Sequence, residues 1–86
     1  MTFRVLLTPD AEIETRYALD NASDADSVLA DFRRIGQLLE RQPMEVGESR
    51  EEAWQRVIFV GSLRALFIVD ERTATVFILS VQSLAH

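Results

Sequence analysis

Residues 55–81 read QRVIFVGSLRALFIVDERTATVFILSV, and this stretch decides the fold. Three runs rich in branched and aromatic residues, Gln55 to Val60, Leu63 to Val69 and Thr75 to Val81, are separated by short polar breaks, which is the pattern of consecutive β-strands. Gly61-Ser62 fits a two-residue type II′ turn, because glycine occupies the first central position, where φ must be positive. Asp70-Glu71-Arg72-Thr73 joins the second pair. A two-residue first turn sets Val60 opposite Leu63, Phe59 opposite Arg64 and Val57 opposite Leu66. With Val69 opposite Ala74 across the second turn, one face collects Val57, Phe59, Arg64, Leu66, Ile68, Thr75, Phe77 and Leu79. The other collects Arg56, Ile58, Val60, Ala65, Phe67, Val69, Val76 and Ile78. Both faces are apolar, whereas an antiparallel sheet with one face in water alternates apolar with polar residues. A helical hairpin covers one face, so the other needs a cover, either a partner or second copy or else the first helix or the segment Glu45 to Trp54 folded over it.

Upstream, Phe3 to Thr8 (FRVLLT) reads as a short strand, and Thr8-Pro9-Asp10 as a helix start. Thr8 supplies a capping oxygen, Pro9 takes the first helical position, where a missing N–H costs nothing, and Asp10 faces the positive end of the helix dipole. This helix is expected to reach about Leu19, with Tyr17 packing toward the sheet. Asn21-Ala22-Ser23 breaks it, and Ser23 with Asp26 resembles a capping box. A second helix follows, carrying Val28, Leu29, Phe32, Ile35, Leu38 and Leu39 on one stripe, and Gln42-Pro43 ends it. The order predicts an α+β fold: an N-terminal strand, a helical hairpin on one sheet face, then a three-stranded antiparallel meander.

The 86 residues make one domain spanning 1–86, and a core of this size leaves stability marginal. With 48% hydrophobic against 27% charged residues the chain is globular rather than disordered. The absence of Cys excludes disulfides and thiolate sites, and a single His, the terminal His86, excludes a multi-histidine metal centre. Neither a cofactor nor a metal is expected. No apolar run is long enough for a membrane helix, so the expected location is cytoplasmic, with no membrane partner. The net charge of -5 is uneven: residues 1–52 hold six Arg against twelve acids, residues 53–86 three Arg against two. Because nucleic-acid affinity is driven by Lys and Arg displacing counterions, no direct binding of free nucleic acid is expected.

Taken together, Phe3-Arg4-Val5, Leu7-Thr8-Pro9-Asp10-Ala11-Glu12, the helical hairpin, Val46-Gly47-Glu48-Ser49-Arg50, and a meander holding Leu63-Arg64-Ala65-Leu66-Phe67, Val69-Asp70 and Leu79-Ser80-Val81 resemble the RelE/ParE toxin superfamily of bacterial type II toxin-antitoxin systems. The resemblance covers nearly the whole chain in order and spacing. It implies a small α+β toxin wrapped by a cognate antitoxin, with the ribosome or DNA gyrase as target. In the nuclease branch it also implies arginines that stabilise a pentacoordinate phosphate.

On this chain Arg64 and Arg56 take those positions, with Glu48 as the candidate base. The strand register sets the two arginines on opposite faces, and the last strand offers Ser80, Gln82 and Ser83 rather than an acid or base, so catalysis is expected to be weak or lost. Trp54, Phe59 and Phe77 are the candidate partner-interface residues, since large aromatics anchor interfaces. Three functions follow as expectations: a toxin component acting through protein contacts, a non-toxic homodimeric binding module on the same fold, and a ribosome-dependent mRNA endonuclease.

Overall fold

The computed structural model describes residues 2–46, 48–49 and 55–84. The chain runs β1 (Arg4–Leu7), α1 (Pro9–Asp20), α2 (Ala25–Arg41), β2 (Glu48–Ser49), β3 (Gln55–Val60), β4 (Leu63–Asp70) and β5 (Thr75–Ser83). The strands form one sheet of order β1-β5-β4-β3-β2. The three-stranded meander is its centre, and β1 enters parallel beside β5, with Val5 opposite Val76 and Leu7 opposite Ile78. At the far edge, β2 pairs antiparallel with β3. The sequence predicts no strand at Glu48 and Ser49, because a two-residue strand has no periodicity to detect.

Helix α1 begins as its sequence implies. Thr8 caps it by accepting a hydrogen bond from the Ala11 amide at 3.2 Å, with Pro9 at the first helical position. In α2 the cap is Asp24 rather than Ser23: its carboxylate accepts from the Ser27 amide at 3.2 Å. The two differ by one residue because aspartate and serine cap about equally well, so local chemistry does not choose between neighbours. The apolar stripe of α2 faces the sheet, with Ile35 and Leu39 wholly buried and Val28 nearly so.

The core lies between this stripe and one sheet face, made of Ile58, Leu63, Ala65, Phe67, Val76, Ile78 and Val81. From α1 it receives Ala11 and Ala18, with half-buried Leu19 packed against it. Tyr17, expected to reach the sheet, is instead 70% exposed. Two alanines seven residues apart let the α1 backbone approach the sheet closely, and the bulky Ile13 and Tyr17 fall on the outer side of the helix. Each large side chain buried here contributes about 1.5–3 kcal/mol relative to exposure.

Both hairpins keep the expected faces. The first has the register derived from the sequence, with Phe59 opposite Arg64, and Gly61 turns at φ +56°. The Asp31 carboxylate on α2 accepts from the Ser62 amide at 3.1 Å and from the Ser62 hydroxyl at 3.3 Å, tying this turn to the helix layer. The second hairpin pairs Val69 with Val76 rather than Ala74, and Asp70 with Thr75. A shift of two residues preserves side-chain parity, so face membership is unchanged. Ala74 closes the turn at φ +52°. No described helix is long and apolar enough to cross a membrane.

Candidate partner-binding face

Turned away from the helices is a second apolar face, ordered in cross-strand rows. Leu6, Phe77 and Ile68 form one row across β1, β5 and β4, Ser80, Leu66 and Val57 the next, and Gln82, Arg64 and Phe59 the third. Side chains opposite one another across antiparallel strands lie about 4.5–5.5 Å apart at Cβ, so each row is a contiguous strip. Phe59 is 54% exposed and Leu6 40% exposed, Leu66, Ile68 and Phe77 are half-buried, and Val57 is buried. The Leu6 row is apolar across β1, β5 and β4, and the third row is polar and cationic at Gln82 and Arg64.

Arg64 projects from β4, where its Nη1 donates to Oε1 of Gln82 at 3.2 Å. The partner is neutral, so the guanidinium charge is oriented but not cancelled, and the group keeps donors for an anionic or carbonyl acceptor. Arg56 lies opposite Phe67, on the helix-covered side, and its Nε donates to the Val46 carbonyl at 3.3 Å. The two arginines therefore do not converge on one ligand, as the register implied. The backbone of Glu48 pairs with Val57 in the edge strand. Trp54 and His86 lie outside the described residues, as does the Glu48 side chain.

A β-bulge in β5 departs from the expected register. Phe67 pairs with Ile78 but Leu66 with Ser80, leaving Leu79 as an extra residue. Beyond it the faces exchange: Val81 enters the core at 2% exposed and Gln82 comes to Arg64. Without the bulge, Gln82 would face the helices. The cap and N-terminal half of α1 stitch the irregular backbone. Thr8 donates its amide to the Ile78 carbonyl at 3.0 Å and its hydroxyl to the Leu79 carbonyl at 3.3 Å, and Glu14 accepts the Val81 amide at 3.0 Å. The signal in the sequence is polar Ser80, which breaks the core-facing series of Val76 and Ile78.

No protein-family model matches the sequence, and no curated protein matches it significantly. Solved structures do. A chain of the toxin-antitoxin complex RelBE2 from Mycobacterium tuberculosis superposes with a TM-score of 0.79 at 25% identity, covering 96% of this chain and 92% of that one. A chain of the chromosomal ParDE toxin-antitoxin system of P. aeruginosa gives 0.74 at 15% identity, covering 98% of each. The isolated E. coli RelE toxin gives 0.72 at 16% identity, covering 98% of this chain and 86% of that one. In fold, over nearly its whole length, the chain is similar to these RelE- and ParE-type toxin-antitoxin structures.

Proposed function

We propose that the protein is the toxin component of a type II toxin-antitoxin system, acting through protein contacts and neutralised by a cognate antitoxin laid over the open sheet face. The observation that carries this reading is the open face itself: Leu6, Phe59, Leu66, Ile68 and Phe77 form a continuous apolar surface with no described helix over it. Patches of this kind on a small domain mark interaction sites, since exposure gains nothing for folding. Of the solved structures similar in fold, RelBE2 is a toxin-antitoxin complex and ParDE a toxin-antitoxin system.

The test is induced expression in a bacterial host, with and without the short open reading frame adjacent to the gene. Growth arrest that the neighbour relieves is the expected result; unimpaired growth together with no binding by the neighbour's product rules the reading out. The target, ribosome or DNA gyrase, is separated by whether translation in a cell-free extract or gyrase supercoiling is inhibited.

A second reading, ribosome-dependent endonuclease, draws on Arg64, which stands on the open face with unpaired guanidinium donors beside Gln82. It lacks a second arginine on that face of the meander and an acid or base in the Arg64 row. Arg64→Ala separates the two readings: transcript cleavage lost with the variant supports the nuclease, and growth arrest retained by the variant supports contact-mediated toxicity. A homodimeric, non-toxic module is the remaining alternative, distinguished by a doubled mass in light scattering without growth arrest.

A further inference from the structure

The outer side of α1 carries a second surface, of different chemistry from the open sheet face. Ile13 and Tyr17, one helical turn apart, are 68% and 70% exposed. Beside them runs a groove of about 590 Å³ between α1 and the end of β5, floored by Ala18 and Val81 and rimmed by Asn21 and Gln82. A bulky aliphatic and an aromatic side chain standing largely in water above a groove are the arrangement of an interface anchor.

Charge specifies what fits there. The stretch from α1 through the following turn to the start of α2 holds Asp10, Glu12, Glu14, Asp20, Asp24 and Asp26 against Arg16 alone. The Glu14 carboxylate is engaged by the Val81 amide, but Asp10 and Asp20 are exposed. On the helix they stand three residues before Ile13 and three after Tyr17, so they bracket the apolar pair, about 15 Å apart along the axis. The open sheet face differs, carrying Arg4 and Arg64 against Asp70.

We propose that the groove between α1 and β5 docks a segment of the antitoxin in which two bulky apolar side chains are flanked on both sides by Lys or Arg. This contact is separate from the one on the open sheet face, and it rests on the toxin-component reading above. The flanking cations meet Asp10 and Asp20, and the apolar pair packs between Tyr17 and Val81.

The test is calorimetric titration of the intact chain with the product of the adjacent open reading frame. Ile13→Arg combined with Tyr17→Arg is expected to weaken binding at least about thirtyfold, because both anchors are lost. Asp10→Lys with Asp20→Lys is expected to cost about tenfold and to flatten the salt dependence of affinity. All four side chains are exposed, so unchanged thermal unfolding of the variants is the check on folding. Wild-type affinity in the Ile13/Tyr17 double variant overturns the proposal. A light-scattering mass that falls from dimer to monomer in that variant also overturns it, since a second copy then fills the groove.

Failure of the unaltered chain to bind the adjacent product counts against the toxin-component reading instead. The groove is then decided by amide chemical-shift titration with a synthetic helical peptide of about twelve residues, two leucines flanked by arginines, against its glutamate-flanked counterpart. Shifts confined to residues 13–21 and 81–83, with the arginine peptide only, uphold the basic-flanked chemistry. Equal shifts with both peptides, or none with either, overturn it.

Discussion

The two faces of the sheet are nearly equal in apolar content and opposite in use. On one, Ala65, Phe67, Val76 and Ile78 are at most 1% exposed beneath α1 and α2. On the other, Phe59 stands 54% exposed, and Leu66, Ile68 and Phe77 are only half-buried by their neighbours in the sheet. The first face stabilises the fold. The second gains less in folding, and no described helix removes Phe59, Leu66, Ile68 and Phe77 from water. Hydropathy therefore identifies a surface that must be buried, while only the placement of the helices says which burial is internal.

Substitutions that separate folding from binding sharpen this contrast. Phe67→Ala, at the centre of the covered face and wholly buried, is expected to lose about 3–5 kcal/mol, measured by urea unfolding. For a domain of this size that is a large share of total stability. A loss under about 1 kcal/mol would mean the covered face is loosely packed and the contrast is not real.

Gly61→Ala strikes the turn between β3 and β4. A Cβ there would collide with the Asp31 carboxylate, and φ of +56° disfavours any L side chain. About 2 kcal/mol is expected from the strain and the displaced Asp31 to Ser62 hydrogen bonds, read from the same unfolding curves. The companion variant Asp31→Ala should make the glycine substitution milder, since the collision is removed while the dihedral cost stays.

Ala74→Gly acts in the opposite direction. Ala74 holds φ of +52° in the β4 to β5 turn, and relieving it is expected to raise stability by about 0.5–1 kcal/mol, seen as a higher denaturation midpoint. A destabilised Ala74→Gly variant would show the turn to be held by something other than local backbone preference.

Phe59→Ala, on the open face, carries the smallest stability effect, within about 0.5 kcal/mol. Binding to the product of the neighbouring reading frame should nevertheless weaken at least about tenfold. A variant that is strongly destabilised yet binds normally would invert the roles of the faces.

Much of the candidate site is legible in the amino-acid sequence. Gly61-Ser62 identifies the first turn, and a two-residue loop leaves one register, which sets Phe59 beside Arg64 and separates Arg64 from Arg56. Face membership survives the change in the second hairpin because two residues is one full pleat. Three features are not legible there. The bulge at Leu79 depends on Thr8 and Glu14, which lie far away along the chain. The outward turn of Tyr17 depends on which side of α1 the sheet approaches. The edge strand β2 is too short to carry a pattern.

Local chemistry by itself determined where helices begin, where strands reverse and which side chains share a face, because capping oxygens, a left-handed glycine and a period of two act over a few residues. Only the tertiary structure decided which apolar face α1 and α2 cover, that β1 runs parallel to β5, and that Gln82 meets Arg64. Those outcomes follow from contacts between segments far apart along the chain, such as Thr8 with Leu79, Glu14 with Val81 and Asp31 with Ser62, and no local preference encodes them.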